Sequence, residues 1–403
     1  MGTFSRASAF AGDSNLKEDH VADMLTEEGK RVIRLNRGDP TVYFPTDRYM
    51  IEAYVKALKA GRTGYSNVKG VLGLREAIAR RYFRRYNVSY DADDIIITNG
   101  VSEGLAMLNA ALIDANDRAV IFRPYYTLYY PGIKTRGGVP VIERYMEKDG
   151  WSVDLDGLRK SLKGSRKRSK YLLITNPNNP TGTVLGEKVL KEIVEIAKDH
   201  DLILISDEIY DEIVFNGAKF TSMSRLAKGV PHVILNGASK CLDATGFRIG
   251  FMIIPGNDRI SRELRDIVTG FARLRICANT TAQYAVAEGL NRNAEHERAS
   301  RAMANEIGRR ADYMARKVNG SGYMDVVRPQ GAYYIFPRVD TNAFGMKDDL
   351  EFVDRLLKEE GVELTGGSSF GEKEHLRIVT LAPKDILELA INRITAFCKR
   401  HSK

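Results

Sequence analysis

The chain has 403 residues, 43% of them hydrophobic and 28% charged, with a formal net charge of +9. That length can bury a large core in more than one domain. No run of about 18 apolar residues occurs, so no membrane span is expected, and the opening residues lack the apolar core of a signal peptide.

Arg6 stands where a myristoylation signal needs Ser or Thr. Cys241, Cys277 and Cys398 are scattered and odd in number, which fits a reducing, cytoplasmic setting better than a disulfide framework. The six histidines form no ligand-spaced cluster, so no metal is expected. The densest basic run, "KGSRKRSK" at 163–170, lacks interleaved aromatics. It reads as a solvated loop, and nucleic acid is not an expected partner. An anionic cofactor and carboxylate substrates would account for part of the positive balance.

In chain order, "VIRLNRGDP" ends in a turn before a series of short β-rich runs begins. These are "DIIIT" at 94–98, "AVIF" at 119–122, "YLLIT" at 171–175, "LILIS" at 202–206, "VILN" at 233–236 and "GFMII" at 250–254. Continuous apolar runs mark strands covered on both faces. Leu190, Ile193, Val194 and Ala197 follow helical spacing between two of them. The pattern predicts an α/β fold, with a large domain over 47–285 built on a mostly parallel, seven-stranded type of sheet flanked by helices. "HVILN" and "IGFMIIP" lie too close for a helical crossover, so one antiparallel strand is expected. A charged helical stretch from about 286, strand-like "GAYYIFPRV" and a terminal helix predict a smaller α+β domain. Residues 1–46 and 286–403 would form it together, placing a site at the domain boundary.

Ligands of open α/β sheets sit outside the carboxyl ends of strands, and polar clusters follow several runs here. "ITNGVSEGL" leads into a helical pattern (Leu105, Leu108, Ala111, Leu112), so Gly100, Val101 and Ser102 would set backbone N–H groups at a helix N-terminus, a phosphate cradle. Taken alone it is equally an ordinary cap. "TNPNNPTG" can be a Pro/Asn turn or a rigid mount for an amide. "SDEIYDE" can cap a helix or hold a carboxylate toward a ligand. In "NGASKCLDATGFRIG", Lys240 sits among small residues with Arg248 eight positions on. A surface amine needs no such setting.

Together these clusters resemble the fold-type I, class I aminotransferases that use pyridoxal phosphate. "NPNNPTG", "SDEIY" and "SK" followed by "GFRIG" are the most specific parts, and the likeness runs from "LNRGDP" to "HLRIVT". The resemblance implies that Lys240 bonds the coenzyme and moves the substrate's α-proton. It implies that Asp207 partners the pyridine nitrogen and that Asn179 and Tyr210 donate to the ring's phenolic oxygen. Tyr126 would stack on the ring, with Tyr125 and Tyr129 as near alternatives. Gly100, Val101, Ser102, Ser239 and Arg248 would hold the phosphate. Tyr65, in "GYSNVKG", would reach the phosphate of a neighbouring subunit, implying a homodimer with shared sites. Arg377 would take the α-carboxylate through a two-pronged contact, with Asn179 beside it and Gly38 letting its backbone approach.

Within the family, "FARLRICANTTAQYAVAEGL" at 271–290 resembles the alanine aminotransferase branch through Arg273, Arg275 and Cys277. Ala278 departs from that branch's proline, and Gly237 replaces a serine used by some class I enzymes. The expected reaction is alanine plus 2-oxoglutarate giving pyruvate and glutamate. An aspartate, aromatic or broad-specificity aminotransferase, or a lyase on the same lysine, is the alternative. Arg377 argues for a retained α-carboxylate and so against decarboxylation. A cofactor-binding module of a transcription regulator would need a DNA-binding domain, for which about 45 leading residues leave little room.

Overall fold

The computed structural model describes residues 10, 15–164 and 168–402; Arg6 and the middle of the 163–170 basic run lie outside the described residues. Strand β1 (Ile33–Arg34) precedes the main sheet. The main sheet contains β2 (Ile95–Thr98), β3 (Arg118–Arg123), β4 (Val139–Met146), β5 (Ser152–Val153), β6 (Ser169–Thr175), β7 (Ile203–Asp207), β8 (His232–Gly237) and β9 (Gly250–Ile253). Its spatial order is β2-β9-β8-β7-β6-β3-β4-β5. The expected seven strands are joined by an eighth, the two-residue β5, which folds back antiparallel on β4. Strand β4 carries no continuous apolar run; its burial alternates, and the periodicity reading passed over it.

The expected antiparallel strand is β9, which runs antiparallel to both β8 and β2. The remaining pairs among β8, β7, β6, β3 and β4 are parallel. Side chains alternate between two cores, which explains the unbroken apolar runs. Ile95, Ile97, Val120, Leu172, Leu204 and Ile234 face one core, with Leu190, Ile193, Val194 and Ala197 of the helix Glu187–Asp199. Ile96, Ile121, Leu173, Ile205 and Leu235 face the other, with Leu105 and Leu108 of the helix Val101–Leu112. Helix Thr280–Asn291 runs across residue 285, and Val286 and Leu290 still belong to the first core.

Beyond it lie the helix Asn293–Asn319 and strands β10 (Met324–Asp325), β11 (Tyr334–Ile335), β12 (Arg338–Val339), β13 (Val362–Glu363), β14 (Thr365–Gly366) and β15 (Leu376–Val379). The stretch "GAYYIFPRV" is not one strand: β11 pairs with β15, while β12 pairs with β10. β1 pairs in parallel with β13. Ile33 and Leu35 share a core with Met314, Phe352, Val362, Ile378 and Phe397, so the N-terminal segment packs with the C-terminal third. These contacts bring Gly38 and Arg377 over the carboxyl ends of the main strands.

Candidate active site

At those ends lies a cleft of about 410 Å3, lined among others by Arg37, Gly38, Val101, Ser102, Tyr126, Asn179, Asp207, Tyr210, Ser239, Lys240, Arg248 and Arg377. Sequence reasoning named all of these but Arg37. Two expected residues lie outside the lining. Gly100 sits directly behind it, and Tyr65 is 81% exposed.

Lys240 follows β8 on the one-turn helix Ala238–Cys241. Its Nζ donates to the Gly38 carbonyl at 2.6 Å, and the Tyr333 hydroxyl donates to the same oxygen at 2.9 Å. Burial lowers the Lys240 pKa to about 8; the charge of Asp39 opposes this, while Arg377 and Arg248 add to it. A cation disfavoured by burial and cationic neighbours releases its proton at a lower pH than an ordinary lysine, with its midpoint at about 8.

Asp207 ends β7, where the helix that would normally follow is replaced by turns. Burial raises its carboxyl to about 6, against hydrogen bonds from Tyr129 and Ile209 N–H and the nearby Lys240 charge. Tyr129 donates to Asp207 Oδ2 at 2.7 Å and also meets Thr175 Oγ1 at 2.7 Å. This separates the three tyrosines of "RPYYTLYY". Tyr126 and Tyr129 line the cleft, their rings edge to face at 5.6 Å. Tyr125 is turned away, its ring stacked on Tyr130. Tyr126 keeps the cleft-facing place expected for the stacking ring, and Tyr129 holds the carboxylate.

Arg377, on β15, is 9% exposed and lies between the rings of Tyr334 and Phe370, 4.8 and 4.7 Å from their centroids. It donates to Asn179 Oδ1 at 3.2 Å and to the Asn36 carbonyl, while its Nε is buried without a partner. With its oxygen engaged, Asn179 has its two N–H donors left to offer. Tyr210 shares a 2.8 Å hydrogen bond with Tyr334, and burial keeps its phenol protonated.

Gly100 has φ +78°, a conformation glycine takes without strain, and a Cβ there would run into the Arg248 guanidinium. This contact sets Arg248 against the N-terminus of the helix Val101–Leu112. Gly38 is also required: a Cβ would collide with the Tyr334 hydroxyl. Arg273, Arg275 and Cys277 do not line the cleft. Arg275 instead bonds Glu103 at 2.9 Å and reaches the Ile97 carbonyl.

Sequence reasoning missed Tyr129 as the partner of Asp207, Thr175 beside it, Tyr334, and Asp39 with Thr245, joined at 2.9 Å. Thr175 stood at a strand end already marked as a ligand position, so that signal was available. Tyr334 looked like an ordinary strand aromatic.

The cleft suits pyridoxal phosphate on the chemistry of its donors. A helix N-terminus with an arginine against it, a carboxylate well inside, a lysine of lowered pKa and a guanidinium with an unpaired Nε match a phosphate, a ring nitrogen, an aldehyde and a carboxylate. Residues 30–394 match the family model for aminotransferase class I and II, and the chain belongs to that family. Among its relatives, alanine aminotransferase of Mycobacterium tuberculosis is 32% identical over 97% of this chain and 93% of its own. Aspartate aminotransferase of Bacillus subtilis is 31% identical over the full length of both. The solved structure of an alanine aminotransferase from Pyrococcus furiosus superposes with a TM-score of 0.93 at 36% identity, covering 98% of this chain and all of the other. The chain is therefore an aminotransferase, with pyridoxal 5'-phosphate as its coenzyme.

Proposed function

We propose that this aminotransferase moves the amino group reversibly between alanine and 2-oxoglutarate, giving pyruvate and glutamate. One observation carries the choice of donor: among the arginines lining the cleft, Arg377 alone is buried, while Arg37 and Arg248 are exposed. A donor with one carboxylate satisfies it. A dicarboxylate-specific donor site would need a second enclosed cation. The relatives named for alanine support this reading, and those named for aspartate supply the alternative.

When bound, pyridoxal phosphate supplies a conjugated ring that takes up the electron pair left as the substrate's α-hydrogen departs. Lys240 would bond the coenzyme, then as a free amine take the proton from Cα and return it at the coenzyme carbon. Asp207, held by Tyr129, would keep the ring nitrogen protonated. Asn179 and Tyr210 would donate to the ring's phenolic oxygen, and Tyr126 would cover one ring face. Gly100, Val101, Ser102, Ser239 and Arg248 would hold the phosphate; Arg377, with Asn179 and the Gly38 backbone, would hold the α-carboxylate.

We also assign the chain to a homodimer in which Tyr65 reaches the partner's phosphate. Tyr65, Leu274 and Ile276 are 81, 82 and 50% exposed, large apolar side chains of the kind a second copy would cover. The division into 47–285 and the two chain ends, and a cytoplasmic location, belong to the same proposal; among the described residues no helix is long and apolar enough to cross a membrane.

The test is the change in coenzyme absorbance on mixing the enzyme with single amino acids. Alanine and glutamate should each bleach the coenzyme-bound form. Inert alanine beside reactive aspartate or an aromatic amino acid would overturn the donor assignment. After borohydride treatment the coenzyme should stay on the wild-type chain and be absent from Lys240→Ala.

A further inference from the structure

We infer that Tyr333 is a positioning residue for Lys240, its hydroxyl aiming the Gly38 carbonyl that receives the lysine's amine. The inference rests on the assignment of Lys240 as the lysine that bonds the coenzyme and moves the α-proton. It begins from one oxygen. The Gly38 carbonyl accepts from Lys240 Nζ at 2.6 Å and from the Tyr333 hydroxyl at 2.9 Å. A carbonyl oxygen has two lone pairs, so these two donors fill it. Tyr333 is fully buried and is not among the residues lining the cleft, so its hydroxyl bears on Lys240 through Gly38.

Tyr333 can aim an acceptor because it is itself held in place. Its carbonyl accepts from Thr380 N–H at 2.9 Å. Its ring meets that of Tyr210 edge to face at 5.3 Å and that of Tyr334 at 4.7 Å. Burial beside those two phenols holds the Tyr333 hydroxyl well above the ordinary tyrosine range, so it stays a donor. The turn it contacts is also confined, since a Cβ on Gly38 would approach Tyr333 Cε2 to 3.0 Å and run into the Tyr334 hydroxyl.

This arrangement matters whenever Lys240 is off the coenzyme. A free lysine side chain has several rotatable bonds, and a fixed acceptor holds its nitrogen in one place for proton transfer. The bond from Tyr333 does not depend on Lys240. It keeps the Gly38 oxygen partnered while the lysine is bonded to the coenzyme, and leaves it aimed for the amine's return. Asp39, Arg377, Arg248 and Cys241 set the charge around Lys240, and a change confined to the Tyr333 hydroxyl alters none of them.

Tyr333→Phe keeps the ring and removes that one oxygen. In the coenzyme-free chain, stopped-flow uptake of pyridoxal phosphate against pH reads the Lys240 midpoint, and full uptake amplitude shows that the variant folds. A poorly aimed acceptor favours the charged amine less, so the midpoint should fall by about 0.5–1 unit. In the holoenzyme, kcat should fall roughly 3- to 10-fold, the range of one lost hydrogen bond. KM for glutamate and 2-oxoglutarate should stay within about twofold, because Tyr333 is not in the cleft lining. Glutamate deuterated at Cα should slow the variant by a larger factor than wild type, the proton step having become the slower one. An unchanged midpoint would overturn the inference, and so would a raised one, which would mean that the hydroxyl competes with Lys240 for the oxygen. A loss carried by KM alone would overturn it as well. The failures are separable: coenzyme kept by Lys240→Ala after borohydride removes the lysine assignment, and with that control passed the Tyr333→Phe midpoint decides the role of Tyr333.

Discussion

Tyr129→Phe removes one oxygen from a fully packed position and leaves the ring in place. The lost hydroxyl donates to Asp207 Oδ2 at 2.7 Å, and a hydrogen bond to a charged group contributes about 1.5–3 kcal/mol. At about 1.4 kcal/mol per unit, its loss raises the Asp207 carboxyl by roughly 1–2 units, from a starting value of about 6. A group that is mostly ionised at pH 7 then becomes half or mostly protonated, and a protonated Asp207 cannot pair with a protonated ring nitrogen. The consequence for the coenzyme-free chain has a definite sign. A carboxyl raised on folding stabilises the fold below its unfolded value near 4 and loses that contribution as pH climbs through about 6. In Tyr129→Phe the loss extends one to two units higher. Coenzyme affinity, followed by fluorescence titration between pH 6.5 and 9, should be about 2- to 10-fold weaker in the variant at pH 7 and approach wild type at pH 9. Denaturant unfolding of the coenzyme-free chain across pH 4–8 supplies the second readout. An affinity ratio that does not change with pH would refute the reasoning, because it would mean that the hydroxyl acts through packing alone.

Arg81→Met should cost about 3–5 kcal/mol in urea unfolding, since it strands two buried carboxylates; Arg81 Nη2 lies 2.5 Å from Asp211 Oδ2 and 2.7 Å from Glu212 Oε1. Loss of under 1 kcal/mol would show that the network is solvated. Gly100→Ala places a Cβ against Arg248 at φ +78°. It should weaken pyridoxal phosphate binding by about 10-fold or more while sparing pyridoxal, which has no phosphate to lose. Equal weakening of both would place the phosphate elsewhere. Coenzyme uptake by the coenzyme-free chain should accelerate with pH about a midpoint near 8, where Lys240 becomes a free amine. Arg377→Gln removes a positive neighbour and should move that midpoint upward; stopped-flow absorbance measures both. A wild-type midpoint at an ordinary lysine value would contradict the desolvated setting.

Much of this was legible in the chain itself. Unbroken runs such as "DIIIT" and "LILIS" determined a sheet buried on both faces, because every residue of a strand must be apolar when both sides meet a core. The short gap between "HVILN" and "IGFMIIP" determined the antiparallel strand, since it is too small for a crossover. Lys240, Asp207, Asn179 and Arg248 are singled out because several polar clusters beside apolar runs, taken together, resemble the motifs of a known family; each cluster alone is equally an ordinary cap or turn. Tertiary structure decided what those offsets do not encode. Strand β4 alternates and stayed hidden, and "GAYYIFPRV" divides between two sheets because its pairing partners lie elsewhere in the chain. Local spacing could not distinguish Tyr125, Tyr126 and Tyr129; only the fold shows which hydroxyl reaches Asp207, 78 residues away. Arg37 looked like one more charge in a turn. It entered the cleft because β1 pairs with β13 and carries the following residues over the main sheet, between Arg377 and Lys240. A sequence determines which groups a chain possesses and how neighbours alternate, but contacts across hundreds of residues exist only once both cores have packed.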